Sequence, residues 1–515
     1  MKDQTTIEFV HNEFDWKNFL HNNHFKTDLT LFHKELDDRK EDLSELRWLL
    51  LEIRRVLELY RGAFPHGQFE RELRAAFTRQ ADVLEKQVAG YETKLEECDL
   101  NAYLAVKYEI RTLFKQLGAI VAGSDWQSPC KRLKNPPPDV PEEAGFAQEE
   151  QGTYMRSYGS ETVKEYEEAS LAAFYSLSAD IRKQSVGFLT TSGMKALELA
   201  LIAYKTFTRE TLPFYYQKGF YCEGVDLAKT LMITPLELDP AEIYMEVEAN
   251  KPIGCLLVDP GMCWPVRPAV DLARLFEGLS CHKQSQPLYV IVDRTLTSVA
   301  NPLFERYADR LPPHVVLISV ESGIKYMQYG LELANVGYLV AVGRTLRSES
   351  HREKWVALLS LLDAGADPLT VRQLPAPDLK RLTARLSRLN RNAYWMDAFL
   401  SHMAREGKVA AFYRSVEPSS QYDLNGRNWI GSVFYIQLPG HRSEQEYQAW
   451  IDDFVVSSPE EVHFVSGGSF GFDTFRMNAV GDVSGKENAL RVSVGRDPLG
   501  QLLLKLKYMY SYVQP

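Results

Sequence analysis

Between about residues 153 and 365 the chain alternates short apolar runs with amphipathic segments, and this alternation narrows its folding options more than any other feature. "SVGFLTTSG" leads into the helical "MKALELALIAYKTF". Then come "LPFYYQKG", "IGCLLVDPG", "PLYVIVDRT", "HVVLISVES" and "VGYLVAVG", mostly with helical segments between the earlier runs. Short runs that are apolar throughout suit strands buried on both faces, and strands alternating with helices predict a mostly parallel sheet covered by helices. Such sheets bind ligands beyond the carboxyl ends of their strands. The polar residues just after each run are therefore the candidates for chemistry. Thr191, Ser192 and Gly193 follow the first run, Asp293 ends another, and Ser322 to Lys325 follow a third.

The flanking regions have other textures. Residues 1 to about 134 read as helix almost throughout. Leu43, Leu46, Leu50, Ile53, Leu57 and Tyr60 form one stripe at helical spacing, and "FERELRAAFTRQADVLEKQVAGYETKLEE" carries opposite charges three and four residues apart. This predicts a helical bundle or hairpin for packing or oligomer contacts, with no catalytic group. Residues 135–152, "NPPPDVPEEAGFAQEEQG", read as an extended, proline-rich linker. A large domain over 153–375 and a small C-terminal α/β domain over 376–515 follow. The latter has a long helix through "RNAYWMDAFLSHMAREG", strands at "SVFYIQL", "VHFVSGG" and "ALRVSVG", and a final helix.

Composition bounds the function. Of 515 residues, 45% are hydrophobic and 25% charged, as expected of a globular protein in water. A net charge of -10 argues against a nucleic-acid footprint, which needs a basic face. No apolar run is long enough to cross a bilayer, so no membrane partner is expected. The N-terminal residues lack the apolar core of a signal peptide, and six cysteines without a CxxC pair point to reduced thiols rather than a metal site. A cytoplasmic location is expected.

A lysine at the mouth of an α/β sheet is a candidate amine nucleophile, because partial burial favours its neutral, reactive form and it can form a Schiff base with a carbonyl. A pyridoxal-phosphate site also needs a carboxylate for the ring nitrogen, a phosphate cradle and a stacking aromatic. Asp293 offers the carboxylate. The strand-to-helix turn "TTSGM" offers the amides of Gly193 and Met194 at a positive helix end, and Ser322 adds a hydroxyl.

This set, in this order, resembles the Cys/Met-metabolism family of fold-type-I pyridoxal-phosphate enzymes, the cystathionine synthases and lyases and methionine γ-lyase. The resemblance runs from about Tyr154 to near the C-terminus. It implies pyridoxal 5'-phosphate as cofactor, Lys325 in "SGIKY" as the Schiff-base lysine, and Asp293 in "VIVDRTLTS" as the partner of the ring nitrogen. It further implies Tyr221 in "YCEGVDL" as the ring-stacking tyrosine and an acid or base. Gly193, Met194 and Ser322 would hold the phosphate. "YMRSYGSET" is similar to the family's Y-x-R segment, so Tyr154 and Arg156 would reach the phosphate of a neighbouring subunit, in a homodimer or homotetramer with shared active sites. Arg491 in "ALRVSVGRDP" would fork onto the α-carboxylate of an amino-acid substrate, with Ser469 in "GGSFGFDT" nearby.

Three departures stand out. Ile324 replaces the family's threonine before the lysine. The segment "VDPGMCWP" places Met262 or Trp264, depending on alignment, where the family has an asparagine, and Arg294 replaces another asparagine after Asp293. Cys263 is read either as a reactive thiol or as a buried small residue. The implied reaction is elimination or replacement at the γ carbon of an amino acid. A specialised branch of the family makes a terminal alkyne from a chlorinated unsaturated amino acid. An aminotransferase or β-lyase, or a non-catalytic scaffold, are the alternatives.

Overall fold

The structure, a computed structural model, describes Phe19 and residues 28–63, 68–95, 100–123, 161–208, 212–459, 461–482 and 485–513. The linker at 135–152 lies outside these residues, as do Tyr154 and Arg156. Seven strands form the first sheet: β1 (Ser185–Thr190), β2 (Phe214–Gln217), β3 (Pro235–Leu238), β4 (Cys255–Val258), β5 (Leu288–Asp293), β6 (Val315–Ser322) and β7 (Gly337–Val342). Their order is β1-β7-β6-β5-β4-β2-β3. β2 to β6 pair in parallel, whereas β7 runs antiparallel to both β6 and β1. The protein is therefore a mixed α/β structure built on a mostly parallel sheet, as the alternating runs predict. β4 and β7 are buried at every position because helices cover both faces.

A second sheet lies towards the C-terminus. It contains β8 (Ala411–Arg414), β11 (Val433–Gln437), β12 (Phe464–Ser466), β13 (Phe475–Gly481) and β14 (Asn488–Ser493), in the order β12-β13-β14-β11-β8. A short hairpin, β9 (Asp423–Leu424) with β10 (Arg427–Asn428), precedes β11.

Three long helices open the described chain: α1 (Asp28–Ala63), α2 (Gln68–Thr93) and α3 (Leu100–Gly123). The stripe Leu43, Leu46, Leu50, Ile53 and Leu57 is buried; the side chain of Tyr60 lies outside the description. These helices do not form a bundle with a core of its own. Their apolar faces join one continuous cluster with residues of the first sheet and with Tyr326, Met327 and Tyr329, which follow Lys325. Trp48 on α1 packs edge-on against Tyr329 at 4.7 Å. Polar residues at the same junction form a buried ionic cluster. Asp42 and Glu45 on α1 and Lys107 on α3 meet Arg496, Asp473 and two arginines of the helix Leu379–Arg405.

β1 is an edge strand, and an edge leaves amides without a sheet partner. One of them, Leu189 N–H, donates to Glu167 Oε1 at 2.7 Å. Burial pushes the Glu167 carboxyl up to about 7, against the lowering effect of that hydrogen bond. A carboxyl raised on folding contributes stability that is complete below its unfolded value and lost as pH rises through the folded one. Glu167→Gln keeps the acceptor and removes the titration. Wild type should therefore lose about 2–3 kcal/mol relative to the variant between about pH 5 and pH 8. Denaturant unfolding of both proteins across this range checks it, and parallel pH curves would contradict it.

Candidate active site

Four elements bring the candidate residues together beyond the carboxyl ends of central strands of the first sheet. β5 and β6 pair in parallel with Asp293 opposite Val320. Past the end of β5 the Arg294 N–H donates to Val320 O at 2.8 Å, and the Ser322 N–H donates to Thr295 Oγ1 at 3.0 Å. The ends of these neighbouring strands, with Asp293 on one and Ser322 to Lys325 on the other, are thus stitched together.

The third element is the turn before α4 (Gly193–Phe207). Ser192 is the N-cap, its side chain accepting from Lys195 N at 3.0 Å. The amides of Gly193 and Met194 are left without an acceptor inside the helix. Residue 193 must be glycine: a Cβ there would stand 2.8 Å from Ser322 Cβ and 2.9 Å from its Cα. The helix start therefore lies directly on the end of β6, with Gly193 against Ser322.

The fourth element is the loop between β12 and β13. Lys325 Nζ donates to Ser469 Oγ at 2.6 Å and lies 5.5 Å from the centre of the Phe470 ring. Ser469 has a φ of 81°, a left-handed conformation that costs a serine roughly 1–3 kcal/mol. Gly471, at φ 89°, passes so close that a Cβ would stand 2.5 Å from Lys325 O. Ser469 O accepts from Ser493 Oγ at 2.8 Å, which ties the loop to β14.

Arg491 projects from the middle of the second sheet, where it faces Asn478 on β13 and Tyr435 on β11. Its Nε donates to Asn478 Oδ1 at 2.8 Å, and a Cβ on Gly468 would stand 2.8 Å from its Nη2. Burial pushes the Lys325 amine below its ordinary value, and the Arg491 charge adds to this; Glu332 and Glu223 oppose it. Tyr221 caps α5 (Cys222–Thr230) and is half-buried. Burial, and then its hydrogen bond with Glu223, raise the phenol well above its usual value and keep it protonated.

Asp293 is not alone. Asp259, at the end of β4, is buried beside it. Burial, and then the neighbouring Asp293, push the Asp259 carboxyl well up; burial likewise raises Asp293, although Thr295 hydrogen-bonds to it. Asp259 carries the same sequence signal as Asp293, an aspartate ending an apolar run, and is a site residue that the sequence analysis misses. Cys263 lies within electrostatic reach of both carboxylates, Arg491 and Cys222, and its thiol is pushed up by burial, then by Asp259 and Asp293. A thiol held protonated is a poor nucleophile, so the buried-residue reading of Cys263 fits better than the reactive one.

The departures from the family pattern also find places. Met262 is buried, its N–H donating to Ser415 O at 2.7 Å; Trp264 Nε1 donates to Glu487 O at 2.9 Å. Arg294 turns into the core, 3.3 Å from Glu321 Oε2 and 4.4 Å above the Tyr175 ring. Its guanidinium has an internal partner and is committed there. The structure thus brings together Gly193, Ser322, Lys325 and Ser469 by direct contact, and Asp293, Tyr221 and Arg491 by proximity. Among the described residues no group of side chains is arranged to hold a metal ion, and no helix is long and apolar enough to cross a membrane.

No protein-family model matches the sequence. The chain is 27% identical over 294 residues to the bifunctional enzyme flvA of Aspergillus flavus, a match that takes in 55% of this chain. It spans about a third, 33%, of the length of that curated relative. Among solved structures it is similar to an apo methionine γ-lyase from Micromonospora echinospora, with 16% identity, 68% of this chain and 85% of that one covered, and a TM-score of 0.47. A serine palmitoyltransferase from Sphingomonas wittichii shows 11% identity, 68% and 76% coverage and a TM-score of 0.47. A pyridoxal-phosphate-bound C-S lyase from Staphylococcus hominis shows 13% identity, 72% and 83% coverage and a TM-score of 0.41. A functional reading has to rest on the chemistry of the site itself.

Removing the Arg491 charge should let the Lys325 amine return towards its ordinary value, since a nearby like charge disfavours the ammonium. In cofactor-free protein, Arg491→Leu should move the pH midpoint of Lys325 acylation upward, read by peptide mass spectrometry. An unchanged midpoint would show that the two groups do not feel each other.

Proposed function

We propose that the chain is a pyridoxal-phosphate-dependent lyase or transferase that eliminates or replaces a group at the γ carbon of an amino acid. The observation that carries this reading is the Lys325 amine. It is partly buried, shifted towards its neutral form and held by Ser469, beyond the carboxyl ends of the paired strands β5 and β6, where the Asp293 carboxylate also lies.

The residues present fit the cofactor. Asp293 and Asp259 form a buried carboxylate pair, to which a protonated ring nitrogen would bring the compensating positive charge. The cradle of Gly193, Met194 and Ser322 suits a phosphate, since two helix-end amides and a hydroxyl all donate. When bound, the cofactor supplies an electron sink for the charge left at Cα by proton loss. Tyr221 would stack on the ring and, as a protonated phenol, donate a proton. Arg491 would bind the substrate carboxylate, with Ser469 beside it, and so orient the Cα–H bond. Tyr154 and Arg156 complete the site from a second copy of the chain in this reading. The free thiols of Cys222, Cys255, Cys263 and Cys281 support a reducing, cytoplasmic setting.

Lys325 is the natural base. It would take a proton from Cα, deliver that proton to the cofactor and so become neutral again, and then take one from Cβ; only after the second abstraction does a group leave Cγ. With a slow γ-substituted amino acid in heavy water, both Cα and Cβ hydrogens should exchange, as followed by NMR. Exchange at Cα alone, with binding demonstrated, would favour the aminotransferase or β-lyase alternative. Lys325→Ala should remove the visible absorbance of the loaded protein; a band that persists and is still reducible onto the chain would place the reactive amine elsewhere. Among the γ-substituted amino acids to be screened, a chlorinated unsaturated one tests the alkyne-forming specialisation through release of halide.

A further inference from the structure

Within the buried ionic cluster at the N-terminal helices, one residue reaches both walls of the crevice that holds Lys325. Lys107, on α3, is 1% exposed. Its ammonium donates to Glu45 on α1, approaches Asp473 Oδ2 at 2.8 Å and donates to the Tyr329 carbonyl at 3.0 Å. With the Tyr103 hydroxyl at 3.1 Å as a fourth neighbour, every N–H bond of the ammonium has an acceptor within reach. Tyr329 lies four residues beyond Lys325, with a φ of 53°, and Asp473 lies four residues beyond Ser469. One side chain from outside both sheets therefore joins the segment carrying Lys325 to the loop carrying its hydrogen-bond partner.

The rest of the cluster supports that junction. Arg385 Nη1 donates to Asp473 Oδ1 at 2.8 Å, and Arg385 Nη2 donates to Gly471 O at 2.9 Å. Arg496 Nη1 lies 3.0 Å from Glu45 Oε2, and its Nη2 lies 2.9 Å from Asp42 Oδ1. Burial opposes ionisation of Asp473, but Arg385, Lys107 and Arg496 more than offset it and hold that carboxyl below its usual range. Glu45 is held at about 2 in the same way, burial being overcome by Arg496, Lys107 and Arg385. Both carboxylates thus stay charged; burial pushes the Lys107 amine below its ordinary value, and the two carboxylates oppose that shift. A buried ion set of this kind adds little stability over an apolar core of the same volume, whereas its directional bonds can define a geometry. The geometry here is that of the loop over Lys325, which includes a strained serine and a glycine pressed onto the lysine's own carbonyl.

We propose that Lys107 is a positioning residue for Lys325: by joining Tyr329 to Asp473 it holds the 466–474 loop over the reactive amine, so that the N-terminal helices complete the active site. The inference rests on Lys325 being the reactive amine of the proposed function.

The test uses the full chain without cofactor. The charge-balanced double variant Lys107→Met, Glu45→Gln removes one cation and one anion and roughly keeps their volumes. Leu84→Ala is the comparison, because it opens a cavity in the same helices at a fully buried position away from the loop. Two readouts are taken: the pH midpoint of Lys325 acylation, and amide hydrogen exchange over residues 468–472. In the double variant the loop loosens and Lys325 gains water. The midpoint should then move upward and exchange should speed up by roughly tenfold or more. Leu84→Ala should change neither. No change in the double variant, or equal changes in both proteins, would overturn the proposal. Should the double variant fail to fold, Asp473→Asn, which keeps shape and acceptor, is read in the same way with the same two outcomes. Neither readout involves the cofactor, so failure here is distinct from failure of the pyridoxal-phosphate reading, which the visible absorbance of Lys325→Ala tests.

Discussion

The parallel register of β5 and β6 is the constraint on which the site depends. Asp293 lies opposite Val320, and Thr295 Oγ1 catches the Ser322 amide just beyond the ladder. A one-residue slip would turn each of these side chains to the other face of the sheet. The register is set by packing, because β6 is buried on both faces along nearly its whole length and a slip would move each side chain into a space shaped for another. From this pairing follow the placement of a carboxylate and an amine at the carboxyl ends of neighbouring strands, and the close seat of Gly193 on Ser322.

The second requirement is a lid for the amine. Lys325 would be an ordinary surface cation without the loop from the second sheet, which brings Ser469 and Phe470 over it. That loop is irregular and contains a left-handed serine, so its conformation must be imposed by its surroundings. Arg385, on the helix Leu379–Arg405, binds Asp473 and the Gly471 carbonyl of that loop, and Lys107 binds Asp473 from the other side. Burial of the amine, and with it the shift towards a nucleophile, thereby depends on residues far from it in sequence.

What could be read in advance follows from the range of the interactions. β5, β6 and β7 were legible because each is a mostly apolar run, broken in β6 only by Ser319 before its polar end, and Lys325 because it follows such a run within "SGIKY". β13, "FRMNAVG", was not, because its half-polar alternation sits beside a glycine-rich loop; nor were the short strands β3 and β8, whose residues are largely unburied. The helix read through "RNAYWMDAFLSHMAREG" begins earlier, at Leu379, where Asp378 caps it by accepting from Arg381 N at 3.0 Å. Asp473 drew no notice in "GGSFGFDT", since its partner Lys107 lies hundreds of residues away and no local pattern records such a pairing. Arg294 looked like a change in the pocket, but it faces Glu321 inside the core.

The most direct test of the central claim, that Lys325 is the reactive amine, is to map the cofactor chemically. Wild-type protein loaded with pyridoxal phosphate is reduced with borohydride, digested and sequenced by mass spectrometry. The account predicts one modified residue, Lys325, in the peptide that contains "SGIKY". A cofactor fixed to another lysine, or none fixed at all, would contradict it.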